Sequence, residues 1–190
     1  MPTIIVSASS GSLSPIALQP GGRYQFDNYN FSGSTDTHKM YGCDGANKAF
    51  QFDGTTFTQI TSTAVPDTPS AIAVHKNRLF LANLGSLFLS SPGDPVSGWV
   101  GVGTTPAEIG TGDYITDLLP MTGSSDTGAL AIFGRNRTSI LYGSSQSSWQ
   151  LSLLSTSAGA APRTAQYLGT GLSLDSVGVT NIKAVQDFGN

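Results

Sequence analysis

Short apolar segments separated by polar turns recur along this chain, and the clearest series is Ala71–Trp99. In it Ala71–Val74 and Leu79–Leu81 flank a His-Lys-Asn turn, and a second turn at Leu84–Leu87 leads into a third apolar segment. Asn77 tolerates the positive φ that a tight hairpin turn requires. The pattern therefore predicts most of one antiparallel, four-stranded sheet.

A second segment, Ala129–Leu154, has the same order of strand, Asn-Arg turn, strand and tryptophan. Ala71–Val74 corresponds to Ala129–Ile132 in this alignment, and Asn77-Arg78 to Asn136-Arg137. A repeat of about 50–60 residues with four strands favours propeller blades, with a β-sandwich as the alternative. Apolar residues do not keep helical spacing for three turns anywhere, so the predicted fold class is all-β with almost no helix.

The strand spacing predicts one propeller-like domain over residues 1–190, with about four antiparallel, four-stranded blades. The blades either close on themselves or form part of a larger propeller. The expected sub-units are 1–66, 67–110, 111–157 and 158–190. Aromatic residues on both faces of Arg23–Phe31 indicate a strand buried from both sides, and Asp53-Gly54 predicts a two-residue hairpin turn.

The composition is poor in charge, with 11% charged residues against roughly 25% in typical domains. This suits turn-rich β structure or a chain within a large assembly. The formal net charge of −3 argues against electrostatic binding to DNA or to an anionic membrane. The chain has no apolar run long enough for a membrane helix and no basic signal-peptide region at its start. Cys43, the single cysteine, is expected to be a small buried hydrophobic residue.

Residues for catalysis are few. His38 and His75 are the two histidines. Both lie beside turns, so we expect them to be exposed turn residues. A metal site formed by the two histidines would also need a carboxylate, and Asp36 is the one candidate close to them in sequence. The aspartates lie in turns that they can cap, and the G-x-S-x-G motif is absent. An aspartate-based glycan hydrolase would need two carboxylates about 5–10 Å apart across a cleft. We predict no catalytic residue, no metal site, no cofactor and no enzymatic activity.

The remaining candidates are two basic turns and two tryptophans. Lys76 and Arg78 lie in one turn, Arg135 and Arg137 in the other; they are either solubilising cations on exposed edges, interface contacts or channel-lining residues. Trp99 and Trp149 are expected to anchor loops over the core of each blade.

Several segments resemble tail proteins of tailed bacteriophages. They are Met40–Gly54, with MYGCDGANKAFQFDG, Val74–Trp99, with the H-K-N-R-L-F strand and the G-D-P…W loop, Ala131–Leu153, and the ending Val177–Ile182. The resemblance covers about residues 40–185 and is to the nozzle or tail-tube β-propeller proteins of short-tailed phages. Proteins of that family are longer, so the chain would be a fragment or a reduced form.

This resemblance implies a non-enzymatic structural subunit of the virion. The protein would form a homo-oligomeric ring, a hexamer, in the tail or neck, with the adaptor and tail fibres as partners. DNA would pass through the channel without sequence-specific binding, and no membrane would be involved. The implied location is the virion tail, after synthesis in the bacterial cytoplasm. A receptor- or glycan-binding decoration module of the virion is the alternative function.

Overall fold

The computed structural model describes residues 3–4, 16–34, 37–99, 108–121, 128–143, 145, 148–168 and 183–185. These residues form sixteen β-strands and contain no helix. The chain divides into two compact units, Met1–Ile115 and Thr116–Asn190. The predicted all-β fold class with antiparallel four-stranded sheets is confirmed, and the division into one domain with four sub-units stays a prediction.

The first unit holds two four-stranded sheets and one strand pair. The strands are β1 (Thr3–Ile4), β2 (Ile16–Ala17), β3 (Gln25–Tyr29), β4 (Lys39–Cys43), β5 (Phe50–Phe52), β6 (Phe57–Gln59), β7 (Ala71–His75), β8 (Arg78–Asn83), β9 (Ser86–Leu89) and β10 (Glu108–Gly110). Strand β1 pairs with β2, and the two sheets have the orders β3-β4-β5-β6 and β10-β9-β8-β7. Each sheet is thus a simple antiparallel meander.

The second unit holds the third four-stranded sheet and another strand pair. Its strands are β11 (Ile115–Pro120, which starts at the boundary), β12 (Leu130–Gly134), β13 (Thr138–Tyr142), β14 (Gln150–Ser155), β15 (Gln166–Leu168) and β16 (Lys183–Val185). The sheet order is β11-β12-β13-β14, and β15 pairs with β16.

The strand positions correct the repeat alignment. Ala71–His75 is the first strand of its sheet, whereas Leu130–Gly134, aligned with it by sequence, is the second strand of its own sheet. The structurally equivalent first strands begin at Gln25, Ala71 and Ile115, so the repeat is shorter than expected. The alignment is wrong because apolar strands followed by Asn-Arg turns look alike wherever they lie in a meander.

The turn between β5 and β6 has Gly54-Thr55 as its two central residues, not the predicted Asp53-Gly54, because the Asp53 N–H donates to the Thr56 carbonyl at 3.3 Å. The last strand pair is Phe52 with Phe57. The carboxylate of Asp53 accepts hydrogen bonds from the backbone N–H groups of Thr56 at 2.7 Å and Thr55 at 2.9 Å. These bonds lower the pKa of Asp53. The aspartate therefore occupies the first position of the turn and caps it, a position that aspartate favours.

The strand β3 is buried on one face, so the prediction of burial on both faces is wrong. Phe26 is 50% exposed and stacks on Tyr24 with ring centroids 5.7 Å apart. Both rings also meet Phe50 edge-on. Gly42 makes room for them, because a Cβ atom there would lie 2.5 Å from the ring of Phe50.

The core of the first unit lies between its two four-stranded sheets. Its fully buried members include Tyr41 and Cys43 from β4, Leu79 and Leu81 from β8, and Trp99. Cys43 is a free, buried cysteine, as predicted.

Side chains of β3 bind the backbone of β7 across this core. His75 and Arg78 flank the two-residue β7–β8 turn, so alternate residues of β7, Ile72 and Val74, direct their N–H groups away from β8. Gln25 Oε1 accepts from the Ile72 N–H at 3.2 Å. Asp27 Oδ2 accepts from the Val74 N–H at 2.7 Å. The free edge of β7 is thus satisfied by side chains of the neighbouring sheet.

The second unit uses the same device once. Asp117 is the third residue of β11, as Asp27 is of β3. Its carboxylate accepts from the backbone N–H of Ala165, next to β15, at 2.9 Å. Asp117 is 1% exposed. In both units an aspartate on the first strand of a sheet therefore binds backbone at or beside the strand that begins the next one.

The end of β7 is buried, which contradicts the exposed setting predicted for His75. The side chain of His75 is 7% exposed, and its ring centroid lies 6.0 Å from that of Phe80. Burial and, to a smaller extent, the charge of Lys76 lower the pKa of His75 to about 4. His38, by contrast, is exposed.

We expect Asp27→Ala to destabilise the protein by about 1–3 kcal/mol, because it leaves the Val74 N–H without its acceptor in a partly buried position. Asp27→Asn keeps an acceptor oxygen and should cost less. Urea unfolding measures both, with Asn28→Ala at an exposed position of the same strand as the control. If the alanine and asparagine variants of Asp27 lose the same unfolding free energy, the hydrogen bond between Asp27 and the Val74 N–H does not stabilise the protein as proposed.

We also expect acid to destabilise the protein through His75. Above pH 6.5 the imidazole is neutral in both states. As the pH falls from 6.5 towards 4, the unfolded chain takes up a proton that the folded chain does not, so up to about 3 kcal/mol of stability is lost. Asp27 has the opposite effect on the pH dependence of stability. Burial raises its pKa more than its backbone hydrogen bonds lower it, so protonation at acidic pH favours the folded state.

Unfolding free energies measured from pH 7 to pH 4 test this expectation. His75→Gln should show a shallower pH dependence than the parent protein. His38→Gln, which removes one exposed histidine, is the control. If the two variants show the same pH dependence of the unfolding free energy, burial of His75 does not cause the loss of stability in acid.

Candidate functional site

The two basic turns predicted from the sequence differ in their surroundings. Lys76 and Asn77 have φ angles of 49° and 56° and form the tight β7–β8 turn. Arg78 is buried, with 4% exposed, and its Nη1 donates to the Ser90 carbonyl at 2.7 Å. Arg135 and Arg137 are exposed on the β12–β13 turn. The interface or channel role of all four cations stays a prediction, but Arg78 is no surface cation.

The two tryptophans also differ. Trp99 is 1% exposed in the core of the first unit, and its indole N–H donates to the Pro95 carbonyl at 2.7 Å. Trp149 is half-buried and directly precedes β14. Trp99 thereby ties its own loop, Ser91–Gly98, to the core, while the anchoring role of Trp149 stays a prediction.

A cleft of about 340 Å³ opens in the first unit between that loop and the sheet of β3–β6. Phe31, Tyr41, Pro95 and Val96 supply its apolar walls, and Lys39, Gln51 and Asp94 are among its polar groups. Lys39 Nζ donates to Gln51 Oε1 at 3.4 Å. Burial raises the pKa of Tyr41 to about 12, so its phenol stays protonated.

The carboxylate of Asp94 is occupied by its own loop. It accepts from the Ser97 N–H at 2.9 Å, from the Ser97 hydroxyl at 2.7 Å and from the Val96 N–H at 3.2 Å. Partial burial alone would raise its pKa, but these hydrogen bonds lower it. Asp94 is therefore an ionised loop cap and is not set up as an acid or a base.

Other aspartates follow the same rule, as expected for turn residues. Asp44 accepts from the Asn47 N–H at 2.7 Å, three residues on, as Asp53 does from Thr56.

Within the described ranges no three His, Cys, Asp or Glu side chains come together as metal ligands, and Asp36 lies outside those ranges. No helix in the described part of the chain is long and apolar enough to cross a membrane.

The most exposed apolar surface of the second unit lies on β14 and the end of β13. Leu151, Leu153 and Leu154 are 37%, 50% and 67% exposed, and Tyr142 is 48% exposed. Leu153 pairs with Ser139 and Ser155 with Thr138, so Leu154 is the extra residue of a β-bulge. Four of the exposed large hydrophobic side chains thus lie on the last two strands of one sheet.

Strand β14 is also a sheet edge. It is the last strand in the order β11-β12-β13-β14, so one row of its backbone N–H and C=O groups points away from β13. Its sequence, QLSLLS, contains no charge and no proline, the residues that commonly protect such edges. No described residue forms a hydrogen bond with this outer row of backbone groups. Strand β7 differs, because Asp27 accepts from its outward Val74 N–H. We name this surface, Tyr142 with Gln150–Ser155, the β14 edge.

Sequence reasoning missed the β14 edge. The uncharged QLSLL segment lies in the second predicted repeat, but its position at the edge of a sheet was not predicted. The signal, three leucines and no charge, gains its meaning only when the strand order is known.

Comparisons with known proteins bear on the fold. No family model matches the sequence, and no curated protein matches it either. Among solved structures, the chain is similar to BBS1N in complex with ARL6DN, soaked with lead, with a TM-score of 0.53 and 15% identity. The match covers 85% of this chain and 50% of that chain. This chain therefore spans about half the length of its structural neighbour.

The resemblance to phage tail and nozzle proteins is wrong, since the structural neighbour is BBS1N and not a tail protein. The virion role and the hexameric ring with tail partners are wrong with it, and the glycan-binding alternative has no support. The distinctive residues have local causes: Asn77 fits the left-handed turn, and Asp94 and Trp99 hold their loop. Val177–Ile182 lies outside the described residues.

The localisation in a virion tail rested on that resemblance and stays a prediction without structural support. What the structure and its neighbour show together is the fold: an all-β chain with antiparallel four-stranded sheets like the blades of a β-propeller.

Proposed function

We propose that this protein is a non-enzymatic protein-binding module. An extended segment of a partner protein adds to the outer edge of β14 as a further strand. The observation that carries the proposal is the β14 edge: an outer strand without charge or proline, with three exposed leucines and no protecting contact from the described residues.

The backbone of β14 supplies the affinity. An added strand pairs with the outward N–H and C=O groups, and each backbone hydrogen bond contributes about 0.5–1.5 kcal/mol. No lysine, glutamate or proline opposes this pairing. The six residues of β14 accommodate a segment of similar length.

The side chains determine which segment binds. Leu151 and Leu153 point to the same face of the strand, because side chains alternate along it. A partner segment with apolar residues at alternate positions would cover them and remove apolar area from water, at about 25 cal/mol per Å². Acidic or basic residues opposite these leucines would be disfavoured.

The structural neighbour agrees with a binding role. BBS1N is seen in a complex with another protein, ARL6DN. At 15% identity the likeness concerns the scaffold, so the partner of this chain is defined here by the chemistry of the β14 edge alone.

A labelled, capped peptide of alternating valine and threonine, with terminal lysines for solubility, is a suitable probe. We expect saturable binding in fluorescence anisotropy. The same peptide with N-methyl groups along one hydrogen-bonding edge should bind about tenfold more weakly or worse, because two or more backbone bonds are lost. Leu151→Ser/Leu153→Ser should also weaken binding several-fold.

Leu84→Ser is the matched control, since Leu84 is 62% exposed in the first unit and lies outside the β14 edge. It should leave the affinity unchanged. Absence of binding, or equal binding of the N-methylated peptide, contradicts strand addition. Self-association through β14 that excludes the peptide, seen by sedimentation, would contradict a foreign partner.

A further inference from the structure

The cleft between the β3–β6 sheet and the Ser91–Gly98 loop is a site that strand addition at β14 does not use. Its volume of about 340 Å³ lies at the lower end of the range for ligand sites, about 300–1,000 Å³. All of its lining residues belong to the first unit. The space therefore suits one small molecule or one terminal side chain of another protein.

The loop that forms one wall of this cleft is fixed to the rest of the unit. The Trp99 indole N–H donates to the Pro95 carbonyl at 2.7 Å, and the Gly93 N–H donates to the Asn77 carbonyl at 2.8 Å. Pro95 is itself buried. A wall held in this way needs little reordering when a ligand binds, which lowers the entropic cost of binding.

Two side chains bring hydrogen-bond donors together on the opposite wall. Lys39 and Tyr41 lie two residues apart on β4 and so share a face, and Gln51 lies opposite Tyr41 on β5. Lys39 Nζ donates to Gln51 Oε1 at 3.4 Å. The remaining protons of the ammonium, and both protons of the Gln51 amide nitrogen, have no acceptor among the described residues.

Two carboxylates in this region are occupied by their own loops. Asp94 accepts three hydrogen bonds from its loop, and Asp53 accepts two from its turn. Asp53 interacts with Lys39 by charge, but the ion pair found in the described part of the chain joins Lys48 to Asp67. The cleft thus offers more unpartnered donors than acceptors, which favours an anion over a cation.

The apolar part of the sheet wall is aromatic. The rings of Phe31 and Tyr41 meet edge to face, with centroids 5.1 Å apart. Tyr41 is 2% exposed, and its hydroxyl forms no hydrogen bond with the described residues. Burial accounts for its raised pKa without a contribution from a hydrogen bond or a charge. A ligand ring can pack against these two rings, and a ligand oxygen beside them would accept from the phenol.

We propose that the cleft binds an aromatic group that carries an ionised carboxylate. The carboxylate pairs with the Lys39 ammonium and accepts from the Gln51 amide. The ring lies between Phe31 and Tyr41 on one side and Pro95 on the other. This chemistry is present both in a small free acid and in a protein chain that ends in phenylalanine.

Titration with 3-phenylpropionate and with its neutral amide, 3-phenylpropionamide, tests the proposal on the parent protein. Backbone ¹H–¹⁵N NMR shifts of the residues that line the cleft measure both affinities. We expect saturable binding of the acid and about tenfold weaker binding of the amide, because a hydrogen bond to a charged group is lost. N-acetyl-Gly-Gly-Phe distinguishes the two sources: binding tighter than that of the acid supports a protein terminus, and weaker binding supports a free acid.

Variants of Lys39 test the origin of the preference for the acid. Lys39→Met removes the charge but keeps the apolar stem, so it should weaken binding of the acid about tenfold and leave binding of the amide unchanged. Lys39→Arg should keep the preference. Lys48→Met, at a lysine of the same unit outside the cleft, is the matched control and should bind both probes as the parent does.

Three results would overturn the proposal. They are equal binding of acid and amide by the parent protein, no saturable binding of either the acid or the peptide, and an unchanged preference for the acid in Lys39→Met. None of them bears on strand addition at the β14 edge, which lies in the second unit.

Discussion

The structure depends on side chains that satisfy backbone N–H groups at the open edge of β7 and beside β15. A strand that begins a meander has one row of N–H groups without a strand partner, and in a packed protein these need acceptors. Asp27 and Gln25 supply them for β7, and Asp117 binds the backbone before β15. Because short side chains make these bonds, adjacent sheets stay separate, blade-like units and do not merge into one continuous sheet.

Features determined by a few neighbouring residues were predictable from the sequence. The β7–β8 hairpin follows from the apolar segments and from Asn77, which takes the positive φ that its turn needs. The turn roles of Asp44, Asp53 and Asp94 follow from the preference of aspartate for binding backbone N–H groups two or three residues on.

Features that depend on distant parts of the chain were not predictable. Arg78 and His75 flank a polar turn, which usually means exposure, but the chain after β9 returns over the hairpin and buries them. The position of β14 at a sheet edge likewise depends on strand order, which apolar spacing does not determine. The supposed family likeness was wrong for a related reason: tight turns, capped loops and buried tryptophans have physical causes that recur in unrelated β proteins.

The edge strands β7 and β14 differ in how far the rest of the fold protects them. Both strands have one row of backbone groups that faces away from their own sheet, and protection of β7 takes only an amide and a carboxylate from a neighbouring strand. Side chains of a neighbouring strand could protect β14 in the same way. A lysine or a proline within β14 would also prevent another strand from pairing with it. An edge that keeps three exposed leucines and no charge retains a risk of aggregation that folding does not require. Such a risk is offset when a partner strand covers the edge, and this is the physical reason to assign binding to β14 and not to β7.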